Sequence, residues 1–186
     1  MVDADKSLEP ARPLLSGETE GGEDVLQVVG FLIGDEEYAV DILDVVGVER
    51  LDNVVRLPRM PAFVEGVMTI RDEAVALIKL RARFNLDERP NDDQTRVVVI
   101  ESGEHTLGFI VDAVTSVRRL PRPDVEAVPP VALTIDSRFV TGLVRAAGRT
   151  LIILNPRTIL FDEETEALDT ALQAASLRSA GAESAP

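Results

Sequence analysis

The stretch Gly34 Asp35 Glu36 Glu37 Tyr38 Ala39 Val40 Asp41 Ile42 Leu43 Asp44 Val45 Val46 Gly47 Val48 Glu49 Arg50 Leu51 aligns without a gap on Gly103 to Leu120. Gly34 falls on Gly103, Val45 on Val114, Val48 on Val117, Arg50 on Arg119 and Leu51 on Leu120. Past a loop that is longer in the second copy, Phe63 Val64 Glu65 Gly66 falls on Phe139 Val140 Thr141 Gly142, and the register holds through Arg81 and Arg157. A tandem repeat changes what counts as one folding unit. Each half, at about 65 residues, is near the size at which a lone core is marginal. The halves are therefore expected to pack tightly against each other, and a cleft between two equivalent units is a natural place for a partner to dock.

Outward from the repeat, the texture is of short β-branched runs bounded by turn residues. Leu26 to Ile33, the turn Gly34 Asp35 Glu36, and Glu37 to Val40 read as a hairpin. Further strand-like runs follow at Val45 to Leu51, Val64 to Ile70, Ala74 to Leu80, Arg96 to Glu101, Thr106 to Val111, Val114 to Leu120, Phe139 to Ala146 and Thr150 to Leu154. Many short strands at close spacing predict small barrels or a sandwich. Leu80 to Leu86 and Pro156 to Phe161 occupy corresponding places and are expected to form a helical turn each. Asp162 to Arg178 carries Leu168, Leu172 and Ala175 at helical spacing behind an acidic first turn, and predicts a helix that reads either as a surface helix packing weakly on the second barrel or as a partner-binding helix.

The chain has 186 residues, no cysteine and the single histidine His105. That excludes a disulfide framework, a thiolate metal site and a two-imidazole catalytic system within one chain. The net charge of −14 argues against binding of nucleic acid. Met1 to Asp24 and Asp162 to Pro186 each carry −5 of it, leaving −4 for Val25 to Phe161. Residues 1–24 lack an apolar period and are expected to be a disordered acidic tail. No run is long enough to cross a bilayer, and Asp3, Asp5 and Glu9 stand where a signal peptide is basic and then apolar. A soluble, cytoplasmic protein without membrane insertion is expected.

Catalytic constellations are not visible. There is no phosphate-cradling glycine loop or GxSxG elbow. The carboxylate groups Asp35 Glu36 Glu37, Asp92 Asp93 and Asp162 Glu163 Glu164 sit at turns or a helix start, where solvation and capping account for them. A hydrolase built on Asp112, His105 and a serine would need an imidazole in a cleft, and His105 lies in a hairpin turn. Of the 19 basic residues only Lys6 and Lys79 are not arginine, the residue suited to planar recognition of carboxylates. Arg71 follows the apolar run Val67 Met68 Thr69 Ile70 at a turn, and reads either as a partner contact or as an ion pair with Asp72 or Glu73.

The two-half pattern, with Phe31 Leu32 Ile33 Gly34 Asp35 Glu36 Glu37 Tyr38 Ala39 Val40 Asp41 Ile42 Leu43, resembles the CheW-like family of bacterial chemotaxis coupling proteins. Pro61 Ala62 Phe63 Val64 Glu65 Gly66 Val67, Ile70 Arg71, Leu107 Gly108 Phe109 Ile110 Val111 Asp112 and Phe139 Val140 Thr141 Gly142 continue the resemblance, which covers about Val25 to Phe161. It implies an all-β dominated fold of two pseudo-symmetric, five-stranded SH3-like β-barrels with short helices and a C-terminal helix. The implied organisation is a tail at 1–24, the domain at 25–161 with barrel halves about 25–89 and 95–161 between which strand exchange is possible, and an acidic helix and frayed end at 162–186.

The resemblance further implies a non-enzymatic, cofactor-free adaptor. Its partners would be the regulatory domain of a CheA-like histidine kinase and the cytoplasmic tip of chemoreceptors. It would be a free-standing monomer that assembles in arrays. By resemblance the receptor groove is edged by Ile42, Val45, Val48, Gly66 and Arg71, and the kinase surface includes Val97 and Val117. The bland reading of each of these valines is core packing, favoured for Val45, Val48 and Val117 because alternate residues of a strand point inward. The chain departs from the family pattern at Gly47, Asp72, Ala76 and Lys79, where the family usually has glutamate, glycine, proline and aspartate. These departures are expected to leave the fold intact and shift partner preference, or to mark a divergent scaffold that docks another partner.

Overall fold

The computed structural model describes residues 24–128, 133–146 and 148–182. The segment read as an acidic tail lies, but for Asp24, outside them. Ten strands follow in the described residues: β1 Val25–Ile33, β2 Glu36–Asp41, β3 Val45–Arg50, β4 Val64–Ile70, β5 Glu73–Lys79, β6 Arg96–Ser102, β7 His105–Val111, β8 Ala113–Pro121, β9 Val140–Ala146 and β10 Arg149–Leu154. Two α-helices accompany them, α1 Leu80–Arg83 and α2 Asp162–Ala182. Pro156–Thr158 forms a single 3-10 turn at the place expected for a second short helix.

The strands form two five-stranded sheets. Their orders are β8-β1-β2-β10-β9 and β3-β6-β7-β5-β4. The repeat carries β1 onto β6, β2 onto β7, β3 onto β8, β4 onto β9 and β5 onto β10, so the two orders are the same order. Each sheet mixes the two halves of the sequence. The hairpin β1–β2 of the first half sits between β8 and the β9–β10 hairpin of the second, and β6–β7 sits reciprocally between β3 and the β4–β5 hairpin. The junctions of exchanged hairpins, β2 with β10 and β5 with β7, are parallel; the other pairings are antiparallel.

Both sheets curl, but neither closes by a full strand pairing. One bridge in each tightens the curl, Val55 with Val67 in the second sheet and Glu126 with Leu143 in the first. They are the two five-stranded SH3-like units the resemblance implies, left partly open because the long connections after β3 and β8 contribute a bridge where a closed barrel needs a ladder.

Burial follows from alternation along the strands. Leu26, Val28, Ala39, Leu120, Val144, Leu151 and Ile153 fill the inside of the first sheet. Met68, Leu77, Val97, Val99 and Ile110 fill the second. The intervening residues, among them Val29, Phe31, Tyr38, Val98, Ile100 and Phe109, meet in one core shared by both sheets. The central strands are thus covered on both faces, which is why β1 and β6 are nearly continuous apolar runs.

The C-terminal helix departs from the weak packing on the second barrel expected of it. Leu168 of α2 is 2% exposed within the shared core. In the first turn of α2, Glu164 accepts two hydrogen bonds from Arg83 of α1, at 2.8 and 2.7 Å. The Arg83 guanidinium also lies over the rings of Phe63, Phe139 and Phe161 at 4.3, 5.0 and 4.6 Å. These contacts join α2 to elements of both halves.

Gly66 is buried in β4 beside a register shift, at φ 151°. A Cβ there would meet the Val55 carbonyl oxygen at 2.4 Å. At the Gly34 hairpin turn, φ 66°, a Cβ would meet nothing within 4 Å. Urea denaturation is expected to show Gly66→Ala destabilised by more than about 2 kcal/mol, from strain and overpacking together, and Gly34→Ala by about 1 kcal/mol from strain alone. Equal losses would contradict the close approach of β4 to Val55.

Candidate functional site

The shared core leaves partners chiefly the sheet edges. At one edge, β3 alternates in burial, and a register shift between Val45 and Gly47 sets Val46 apart from the ladder. Val46 and Val48 are 43% and 42% exposed. Leu43, in the 3-10 turn Ile42–Asp44 that leads into β3, is 84% exposed. Ile42 and Val45 are half-buried and pack against the shared core.

The β4–β5 turn brings Arg71 to this edge. Arg71 Nη2 lies 3.7 Å from where a Cβ of Gly47 would stand. Arg71 and Asp72 have φ 51° and 68°. Such a two-residue hairpin turn favours Asn and Gly; Asp is accommodated more readily than Arg, so Arg71 sits there at a conformational cost. Arg71 is exposed and makes no hydrogen bond or ion pair among the described residues, so it is not the partner of Asp72 or Glu73. The same Cβ position at Gly47 lies 3.9 Å from Glu49 Oε1, so a β3 carboxylate stands near Arg71 without forming an ion pair with it. Arg71 also borders a depression of about 550 Å3 at the mouth of the second sheet, with Glu49, Arg50, Asp52 and Met68.

The other residues singled out by resemblance divide by burial. Val117, on the edge strand β8, is 58% exposed and is the repeat equivalent of Val48. For Val48 and Val117 the expected core packing is therefore corrected: on an edge strand the curl leaves them uncovered. Val97 is 0% exposed inside the second sheet, on a central strand. It is corrected from a contact residue to a core residue. Gly66 is buried and packs against the Val55 backbone.

Ala76 is buried in the shared core and cannot touch a partner, while Lys79 is held by Glu65 and Glu88 at 3.1 and 3.3 Å. Only Gly47 and Asp72, of the four departures, adjoin Arg71. The structure brings together Ile42, Val45, Val48, Gly47, Arg71 and Asp72. It leaves Val117 on the other sheet.

Sequence reasoning missed Leu43 and Arg83. Leu43 carries a signal, an apolar residue flanked by Ile42 and two aspartates in a turn. The Arg83–Glu164 pair joins residues 81 positions apart and carries none.

The groups considered for hydrolysis are not assembled. His105 and Asp112 stand at opposite ends of β7, roughly 23 Å apart along an extended strand. His105 Nδ1 is 3.3 Å from Asp169 of α2. Asp112 accepts from the Gly34 N–H at 2.7 Å and from Arg81 Nε at 2.9 Å and Nη2 at 2.5 Å. Partial burial pushes the Asp112 carboxyl up, but the Arg81 guanidinium and the Gly34 amide outweigh it and hold it below the ordinary carboxylate range. Among the described residues no cluster of three or more His, Asp or Glu could hold a metal ion, and no helix is long and apolar enough to cross a membrane.

Comparison with known proteins places the chain in a family. A family model described as the CheW-like domain matches residues 27–164. The chain is similar to chemotaxis protein CheW of Klebsiella aerogenes, 34% identical over 155 residues, covering 83% of this chain and 91% of that one. It is 33% identical over 141 residues to chemotaxis protein CheW of Helicobacter pylori, covering 76% and 85% respectively. The crystal structure of scaffolding protein TtCheW from Thermoanaerobacter tengcongensis superposes with TM-score 0.72 at 27% identity, covering 80% of this chain and 95% of that one.

The Asp112–Arg81 pair fixes the β1–β2 turn against α1 and carries a pH signature. A carboxyl whose folded pKa is lowered stabilises the fold above its unfolded value, about 3.9, and loses that contribution as pH falls through the lowered value. Asp112→Asn is expected to cost about 2 kcal/mol at pH 7. The stability curves of the two proteins should converge as pH falls below 4. A gap that persists in acid would show that Asp112 acts by shape and not by charge.

Proposed function

Because the chain belongs to the CheW-like domain family, we propose that it is a non-catalytic adaptor coupling chemoreceptor cytoplasmic tips to a CheA-like histidine kinase in a chemosensory array. The observation that carries the docking assignment is Arg71: an exposed guanidinium on a strained turn, unpaired within the described residues, beside the bare Gly47 and the exposed Val48. Strain maintained in a surface turn points to use of the residue it presents.

In this reading a receptor helix lies along Ile42, Val45 and Val48. Leu43 and Val46 extend the apolar surface it covers, and Arg71 pairs with an acidic residue of the helix. Area burial supplies attraction, while charge pairing sets register. Val117 on β8 offers the repeat-equivalent surface to the kinase regulatory domain, a partner of similar fold in this reading. Gly66 supports the groove by permitting β4 to approach Val55. The adaptor works in the cytoplasm, at the receptor array, without entering the membrane.

Gly47 and Asp72 tune this site toward particular partners. A carboxylate at position 47 would face Arg71 as a second one beside that of Glu49; without it, the guanidinium makes no ion pair among the described residues and is open to an external acid. That observation also supports the reading of a divergent scaffold with a different partner, and binding experiments separate the two. Calorimetric titration with the regulatory domains of CheA-like kinases and with receptor tip hairpins from the same genome is expected to give saturable one-to-one binding. Arg71→Ala should weaken the receptor contact about tenfold, corresponding to about 1.4 kcal/mol, with unchanged thermal unfolding. Saturable binding to neither class would favour the divergent scaffold. Unaltered affinity of the variant would remove Arg71 from the interface.

A further inference from the structure

A groove of about 800 Å3 separates α2 from the segment running Val55 to Met60, with Val67, Thr69 and Ala74 of the β4–β5 hairpin at its floor. One wall is Ala167, Thr170, Ala171 and Ala174. Their spacing of three, four and seven puts them on one helix face. The matched family domain ends at residue 164, so this wall lies beyond it. The groove shares Thr69 with the depression beside Arg71, and none of the residues assigned above to receptor or kinase contact.

The charge at its rim is one-sided. Arg56 and Arg59 are the only charged lining residues, in a chain with 33 acidic and 19 basic side chains. The Arg56 side chain is 84% exposed and touches Glu65 only at 3.5 Å. Arg59 is exposed at φ 61° and makes no hydrogen bond or ion pair among the described residues. An apolar trough with a cationic rim on an acidic protein is complementary to an apolar segment flanked by acids.

The occupant has to bring a satisfied backbone. Val55 already closes this part of β4, since the N–H of Val55 and of Val67 each donates to the other's carbonyl at 2.8 Å. Pro58 on the same wall has no N–H to offer. An extended peptide therefore finds the β4 edge already taken at Val67, whereas a helix holds its backbone bonds within itself and needs no free edge. The alanine face of α2 lets a second helix approach at the short end of the usual 8–10 Å packing distance.

We infer that this groove docks an amphipathic α-helix of a partner protein, packing its apolar face on α2 and the β4–β5 hairpin and its flanking carboxylates against Arg56 and Arg59. The inference stands apart from the role proposed for Arg71, and either can fail alone.

The test titrates the full chain, followed by heteronuclear NMR, with two synthetic helical peptides. Both carry one Leu/Ala face; one is flanked by Glu and the other by Lys. The acidic peptide is expected to bind about tenfold more tightly, with shifts concentrated in Val55–Met60 and Ala167–Ala174. Arg56→Glu combined with Arg59→Glu should invert that preference, Ala174→Arg should weaken both peptides by filling the groove, and Arg71→Ala should change neither. These exposed positions leave the fold intact, which the spectra check directly. Equal affinity for the two peptides, no binding of either, or shifts clustered at Val48 and Arg71 would overturn the inference.

Discussion

The exchange of hairpins between the two halves is the constraint on which the rest of the structure depends. A two-stranded hairpin is marginal alone and needs further strands and a covered face. Here β1–β2 finds its strands in the second half of the chain, and β6–β7 finds them in the first. Neither half has a complete sheet, so the folding unit is the whole domain. The shared core completes the dependence, since Phe31 and Tyr38 from one sheet pack with Val98 and Phe109 from the other. Partial opening of one half would uncover both faces of the other's central strands.

That arrangement also decides where function can lie. Central strands buried on both faces have no surface to lend, which removes Val97 and Ala76 from any interface. Edges and turns remain, and the curl of the second sheet draws its β3 edge and its β4–β5 turn together at Gly47 and Arg71. A tightly packed framework holds these groups in fixed relation before a partner arrives, and so lowers the ordering cost of docking. Such rigidity suits the adaptor role proposed above, in which one body presents fixed surfaces to its partners.

Much of this was legible in the sequence, and the boundary between what was and was not is physical. The repeat, the ten strand positions and the turns at Gly34 and Gly103 are local features, written in alternation and glycine placement. Strand exchange is a long-range choice between equivalent partners. Because β3 and β8 are alike by repeat, local pattern cannot distinguish swapped from unswapped pairing. The valines show the same limit. Val97 and Val117 are the same residue type in similar β-branched runs, yet one is fully buried and the other 58% exposed, because one strand is central and the other is an edge. Position in the sheet order, rather than residue type, separates core from contact.

The attachment of α2 shows how an interaction of modest net energy can have a large structural effect. Desolvating Arg83 and Glu164 offsets much of their attraction, so the pair is weak evidence for stability. Among the described residues Arg83 Nε finds no hydrogen-bond partner, and the guanidinium instead lies among three aromatic rings. What such a pair supplies is position: its two parallel hydrogen bonds fix the first turn of α2, and Leu168 fixes the next. With those turns set, the helix geometry directs Ala167, Thr170, Ala171 and Ala174 toward Val67 and Thr69. The groove wall is thus carried by the same helix whose first turn Arg83 and Leu168 fix.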